Sequence, residues 1–549
     1  MQENIPDIPD KAEVVVRYVL ERNMTENPDA LWLSFEDGSS WSRARAVEIM
    51  YCIGNKLRKA GIRKGDRVVL IAPNNQTFLR GWLGCCAIGA VMVPCNIGFR
   101  GKLFERVFEI SRPKAIIIDP SLLSLLDSRD SDVPIVDVQD IEEVNSKAPA
   151  LNSPIETYDT HAIYMTSGTT GQSKGVIQTY LQLYVHLVCM GARIGLTKDD
   201  VWLVDLPLFH TGAMNILTST LATRSRAVIR LQPNLNEYWR VAYETGVTTC
   251  LIVSSMVKYL LARPRDEYER RHIVRIAVCS PLPPDPDVFA QRFGVQSVVT
   301  VWGMTECGMT VLPPEIPMKK GSCGVARQGI TILIADEHDM PVRRGTKGHA
   351  LVRHEWPWAI TPGYFEDPQA TAAAWRNGWF HTGDLARQDS EGYYFFESRE
   401  KDMFRRRGEN VSCNEVESAV ANFPHIAEVA CVPCEETTYG SEEAKVFVVP
   451  EAGRDIQPET LFLYCVEHMP HFMVPRYIEI VDSLPKGPTQ KVHKSELRMR
   501  RNNESTWDCV KEGFLVKKSG LISKRGTKDA VLVSSPHRKA RPEDDIWPN

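Results

Sequence analysis

The residues best suited to chemistry stand in one run, Tyr164-Met-Thr-Ser-Gly-Thr-Thr-Gly-Gln-Ser-Lys-Gly-Val176. Thr166, Ser167, Gly168, Thr169, Thr170 and Gly171 bring hydroxyls and backbone N–H groups with no bulk in the way, so this stretch can wrap phosphate oxygens, and Lys174 adds a mobile cation. The ligand such donors fit is a polyphosphate. The pattern GxxxxGK[ST] is excluded, because it needs Ser or Thr directly after the lysine and Gly175 stands there. A flexible polar turn would explain the composition but not so ordered a run.

Further segments follow in order: Trp302-Gly-Met-Thr-Glu306; Gly378-Trp-Phe-His-Thr-Gly-Asp384; Arg399, Gly408-Glu-Asn-Val and Glu415; and Pro485-Lys-Gly-Pro-Thr-Gln-Lys491. Together with the first run, and over roughly residues 30–500, they resemble the ordered motifs of the acyl-CoA synthetase, adenylation-domain and luciferase superfamily. Within it, Gly408-Glu-Asn-Val-Ser-Cys-Asn-Glu-Val-Glu417 is most similar to carnitine and crotonobetaine CoA ligases. The resemblance implies that ATP and Mg2+ activate a carboxylic acid as acyl-AMP. Coenzyme A then takes the acyl group.

The resemblance also distributes roles, and the chemistry of each residue suits its role. Glu306 offers a hard carboxylate oxygen for Mg2+, and Thr305 a hydroxyl for the α-phosphate. The two acceptor oxygens of Asp384 match paired ribose hydroxyls, with Arg399 reaching the same sugar. Trp302 and Gly303 on one side, and Cys279-Ser280-Pro281 on the other, would hold adenine; core packing is the rival reading for Trp302. Lys491 would bridge the attacking carboxylate and the α-phosphate. Standing alone, Glu306 or Lys491 would read as a solvated surface charge.

His210 would gate the acyl pocket, the alternative being a satisfied core histidine, and the pocket would be lined by His210, Met214, Ser254, Ser255, Trp302 and Cys307. Lys401 is the implied hinge about which a small domain turns between half-reactions. Five positions depart from the family pattern. Ser173 replaces a proline of the phosphate loop, Cys279-Ser280 a Gly-Ala pair, and Gln490 the glycine before the catalytic lysine. Arg407, beside Gly408, replaces the first of paired glycines along the pantetheine tunnel, where it can narrow the tunnel or pair with a CoA phosphate.

The elements that must position these residues read as α/β. Runs such as Asp66–Pro73, Lys114–Pro120, Thr248–Ser255 and Arg275–Pro281 read as strands, and Ser42–Gly61 repeats its apolar residues at helical spacing. Gly81–Phe99 is apolar enough to raise a membrane helix, yet Pro94 and Asn96 interrupt it; it reads as a buried helix feeding a strand. From about Gly321 to Phe396 turn signals multiply, which predicts a β-rich subdomain. The expected architecture is a large N-terminal domain of two α/β sheets plus that subdomain (1–397), a hinge (398–402), a small α+β C-terminal domain (403–500) and a basic, weakly ordered tail (501–549).

A chain of 549 residues exceeds the ~250–300 at which one core stops growing, in keeping with more than one domain. A formal net charge of -4 supplies no basic field for nucleic acid, so small molecules are the expected partners. The acidic start lacks the charge and apolar pattern of a secretory signal, and 14 cysteines without metal-ligand spacing fit reduced thiols, so a cytoplasmic enzyme without a membrane span is expected. Cys431-Val-Pro-Cys434 lacks a second pair and reads as strand. Two other functions compete: an adenylating enzyme that hands acyl-AMP to a carrier protein or separate thioester-forming enzyme, and a non-catalytic nucleotide- or acyl-binding protein. A homodimer is an admissible assembly.

Overall fold

Near-continuous apolar runs fold as parallel strands when both of their faces are covered. In the computed structural model the runs around Val68, Val93 and Ile117 do so. The structure describes residues 8–127, 132–141, 147–166, 173–280, 282–283, 285–314, 318–399, 403–406, 409–435, 442–485, 492, 494–516 and 522–524. The chain divides into two units: Met1–Ile97, Val107–Thr166 and Lys174–Glu400 form the first, and Gly98–Arg106, Ser167–Ser173 and Lys401–Asn549 the second.

The first unit holds two α/β sheets. One runs Ala115–Ile118, Arg67–Ile71, Val91–Pro94, Thr160–Thr166, Lys174–Thr179, parallel except for its last, antiparallel pair. The other runs Ser297–Val299, Ile276–Ser280, Thr249–Val253, Val201–Val204, Arg226–Ile229, Leu31–Phe35, Ser40–Ser42, again with only the last pair antiparallel. The run Thr248–Ser255 stops being a strand at Val253, and Ser254 opens the helix Ser254–Ala262.

Helix Arg43–Lys59 starts where the Ser42 side chain accepts from the Arg45 amide and ends on Lys56, Arg58 and Lys59, which complement the helix dipole. It packs against helix Gln76–Ile88, capped by Asn75 and closed by Gly89 at φ 70°. The second helix is buried on all sides, and Gly84 is what lets the two approach: a Cβ there would lie 2.2 Å from Ile53 Cγ2. The apolar stretch from Gly81 is therefore this helix followed by the strand Val91–Pro94. Among the described residues no helix is long and apolar enough to cross a membrane.

The β-rich part is antiparallel. Ile330–Ala335, Gly348–His354, Trp379–Gln388 and Tyr394–Arg399 pair in succession, with Trp375–Arg376 folded against Trp379–Gln388. A separate hairpin, Trp302–Met304 with Gly308–Leu312, precedes it in the chain.

The second unit carries a sheet in the order Ile426–Glu435, Glu442–Pro450, Tyr477–Ile480, Thr506–Asp508 and the helices Cys413–Val420, Pro458–His468 and Lys494–Met499. Cys431 lies in the first of these strands, as the sequence suggests for the CxxC run. Here the expected boundary at 500 needs correction. Thr506–Asp508 closes the edge of the sheet, Cys509 and Phe514 are buried, and Phe514 packs on Phe462 5.3 Å between ring centres. Trp507, Cys509 and Phe514 are the apolar anchors of this polar stretch, Trp507 also packing on Phe462. Lys and Arg dominate the average composition and hide them.

Candidate active site

The antiparallel pair Thr160–Thr166 and Lys174–Thr179 places Thr166 and Lys174 opposite one another, at the two ends of the Ser/Thr/Gly run. Ser167, Gly168, Thr169, Thr170 and Gly171 lie outside the described residues. Past the hairpin, Gly363–Phe365 runs alongside the second strand: the Ile177 amide donates to Gly363 O at 3.2 Å, and the Phe365 amide to Gly175 O at 2.7 Å. Gly363 has φ 145°, and a Cβ on it would lie 2.5 Å from the Thr371 methyl, so the turn that presents Tyr364 needs glycine.

Tyr364 joins two expected site residues. Its hydroxyl donates to Glu306 Oε1 at 3.0 Å, and the Lys174 ammonium lies 4.7 Å from the centre of its ring. Burial, with the Glu306 charge close by, pushes the Tyr364 hydroxyl well above the usual phenol range, so it stays a donor. Sequence reading missed this residue. The preceding Thr-Pro-Gly reads as an ordinary turn, and no spacing ties position 364 to position 306.

Glu306 is itself firmly seated. Gln182 Nε2 donates to the carbonyls of Thr305 and Glu306 at 3.0 and 3.1 Å, and the Thr361 amide donates to Glu306 O at 2.7 Å. Gly303 lies so close to its hairpin partner that a Cβ would fall 1.9 Å from Gly308 O. Among the described residues no group of three His, Cys, Asp or Glu side chains could hold a metal. A single buried carboxylate fits Mg2+, which keeps most of its waters and takes its other oxygens from substrate phosphates.

At the other end of the same hairpin, Trp302 Nε1 donates to Asp384 Oδ2 at 3.2 Å. Asp384 is 2% exposed, stands opposite Arg399 in the strand register, and donates its own amide to Thr382 Oγ1 at 3.1 Å. Trp302 also packs, half-buried, against the cluster of Cys307, Val311 and Phe380. Packing and the polar tether coexist in one side chain.

Cys279 and Ser280 end the strand Ile276–Ser280, beside Ile252 and Val253. That is the carboxyl edge of a parallel sheet, where ligands of α/β folds gather. Burial pushes the Cys279 and Cys307 thiols up, so neither is a nucleophile at neutral pH. His210 caps helix Thr211–Thr223, exposed and 4.7 Å from the Phe209 ring, so it is not a core histidine. Met214 and Cys307 are fully buried. Ser254, Ser255 and Arg399 are described in their backbone only; Pro281, Lys401, Arg407, Gly408 and Lys491 lie outside the described residues.

Two α/β sheets, a hairpin that sets Thr166 against Lys174, and a buried Glu306 joined to that lysine through Tyr364 are the frame in which the comparisons place a nucleotide-dependent ligase. The chain belongs to the AMP-binding enzyme family: that family's model matches residues 20–365, and the model of the AMP-binding enzyme C-terminal domain matches 415–491. Its reaction is that of an AMP-forming acyl-CoA synthetase, the ATP-dependent activation of an acid and formation of its CoA thioester.

Curated relatives include a crotonobetaine/carnitine–CoA ligase of Escherichia coli O45:K1 (strain S88 / ExPEC), 30% identical over 466 residues, 80% of this chain and 89% of that protein. Another crotonobetaine/carnitine–CoA ligase, from Citrobacter koseri, is 30% identical over 504 residues, 86% of this chain and 96% of its own. Among solved structures, a double mutant of o-succinylbenzoate CoA synthetase from Bacillus subtilis superposes with a TM-score of 0.79 at 24% identity, covering 88% of this chain and 98% of that one. The amide bond synthetase of Marinactinospora thermotolerans gives 0.76 at 21% identity, over 87% and 99%. These two bear on the fold alone.

Proposed function

We propose that the chain makes an acyl-AMP at the Thr166–Lys174 hairpin and the Trp302–Glu306 segment, then transfers the acyl group to coenzyme A. In the first half-reaction a carboxylate oxygen attacks the α-phosphorus of ATP, a new O–P bond forms and pyrophosphate leaves. In the second, the CoA thiol loses its proton, its sulfur attacks the acyl carbonyl, and AMP departs.

The observation that carries this reading is the five-residue segment Trp302–Glu306. One of its ends is tethered to Asp384 and the other to Tyr364, which also touches Lys174. The residues proposed for ribose, metal and phosphate are thus tied to a single short element. Mg2+, when bound, neutralises phosphate charge; Glu306 would hold it, with Tyr364 fixing one carboxylate oxygen. Asp384 and Arg399 orient the ribose, and Trp302 and Gly303 with the Cys279–Pro281 segment receive adenine. Thr305 binds the α-phosphate. Lys491 offsets the charge that builds on the pentavalent phosphorus, and Lys401 is the hinge that lets the C-terminal domain serve both half-reactions.

His210, with Ser254, Ser255, Met214, Trp302 and Cys307, is assigned to the acyl pocket. The relatives' names put carnitine and crotonobetaine at the head of the acids to test. Cytoplasmic placement is supported by 14 cysteines, all of them free. Arg407 favours a second reading in which the acyl-AMP passes to a carrier protein or a separate enzyme, because a bulky cation stands where the family keeps glycine.

An acid panel assayed with ATP, Mg2+ and CoA, reading acyl-AMP and acyl-CoA separately by mass, tests the proposal. The expected result is acyl-CoA from at least one acid, with acyl-AMP accumulating when CoA is withheld. Acyl-AMP that persists at saturating CoA would replace this reading by the second. No acid-dependent product of either kind would refute both.

A further inference from the structure

Tyr364 touches Lys174 as well as Glu306, so its part extends beyond fixing one carboxylate oxygen. Three observations define that part. First, its position does not depend on side-chain packing: the Gly363–Phe365 segment is hydrogen-bonded to the lysine's own strand, with Val176 and Tyr364 facing each other as bridge partners. Second, Tyr364 lines a cavity of about 870 Å³ together with Trp356, Trp358 and Trp375, and its hydroxyl makes the polar contact that anchors it to Glu306. Third, among the described residues Lys174 makes no ion pair, although the buried Glu306 carboxylate is held by the phenol that the lysine covers.

An ammonium and a carboxylate that paired directly would each have to be pulled away before meeting phosphate or a metal ion. The aromatic face offers the ammonium a weaker resting place, worth a fraction of a buried ion pair. The hydroxyl meanwhile occupies one carboxylate oxygen and orients the other.

We propose that Tyr364 is a positioning residue that keeps Lys174 and Glu306 apart and aims both at the ATP·Mg2+ complex. The proposal rests on the functional reading above. It predicts a role in nucleotide and metal binding, and none in recognition of the acid.

The test compares full-length wild type with Tyr364→Phe and Tyr364→Leu. Phenylalanine keeps the ring for Lys174 and deletes the donor to Glu306; leucine removes both. Calorimetric titration of ATP at several Mg2+ concentrations, without acid or CoA, gives a readout independent of turnover. The expected result is that Tyr364→Phe weakens Mg2+-dependent ATP binding by about 10- to 150-fold, the size set by one hydrogen bond to a charged group, with an unchanged KM for the acid. Tyr364→Leu weakens ATP binding further, and also when Mg2+ is scarce, because the lysine is freed.

An unchanged Mg2+ dependence in Tyr364→Phe would overturn the proposal. So would a loss of melting temperature in that variant without any shift in Mg2+ dependence, the signature of a purely structural residue. If Tyr364→Leu does not fold, the phenylalanine variant decides alone. Failure of the wild type to bind ATP with Mg2+ would overturn the functional reading and this inference together, whereas equal binding in wild type and Tyr364→Phe overturns the inference only.

Discussion

Trp302 gives its indole N–H to Asp384 Oδ2 at 3.2 Å, across 82 positions of sequence. The aromatic residue at the head of the Trp-Gly-Met-Thr-Glu segment therefore sets the carboxylate proposed for ribose, while the glutamate at its foot is set by Tyr364. Replacing Trp302 by Phe keeps most of the ring area and removes the donor. We expect KM for ATP to rise about 10- to 150-fold, the range for one hydrogen bond to a buried charged group. Steady-state kinetics with each substrate varied in turn checks this.

Asp205 follows the strand Val201–Val204 and is 3% exposed. Burial pushes its carboxyl up to about 7, with the Arg230 charge only partly opposing. The folded form thus holds a proton that the unfolded chain releases near its ordinary value of 3.8. Its contribution to stability is fully present below about pH 4, falls as pH rises towards 7, and stays low above that. Asp205→Asn should leave melting unchanged at pH 4 and become the more stable protein as pH rises, by about 2–4 kcal/mol at pH 8 from a shift of roughly three units. Thermal melts of both proteins from pH 4 to 8 would show the curves diverging; parallel curves would rule out a buried, protonated Asp205.

The folded segment beyond Arg500 has its own consequence. Thr506 gives its hydroxyl to Glu479 Oε2 at 3.0 Å, and that carboxylate pairs with the buried Lys445 at 2.8 Å. Ending the chain after Arg500 would strip Trp507 and Phe514 from Phe462 and open this ion pair to water. We expect the C-terminal unit to lose about 3–5 kcal/mol, typical of a buried pair or aromatic anchor lost, and to become the first site of limited proteolysis. A truncated protein as protease-resistant as the full chain would contradict this.

Much of the architecture is legible in the sequence because parallel strands and buried helices carry dense apolar runs: Val68–Ile71, Ala115–Ile118 and Ile276–Cys279 could hardly be anything else. Glu306, Asp384 and Lys174 are visible because their neighbours are unusual in order as well as in type. Tyr364 is not, since its importance comes from a strand pairing and a hydroxyl aimed across 58 residues of chain. Trp507 and Phe514 were masked by the charged residues around them. Arg399, by contrast, is placed by the strand register opposite Asp384, a relation no spacing argument supplies.

The central claim is that this chain forms an acyl-AMP. Exchange of labelled pyrophosphate into ATP, run with Mg2+ and acid but no CoA, measures that step in isolation. The account predicts exchange that requires the acid and falls at least about 100-fold in Lys491→Ala, as expected when a charge that stabilises the transition state is removed. Exchange that proceeds equally well without acid, exchange undiminished in Lys491→Ala, or cleavage of ATP to ADP and phosphate would contradict it.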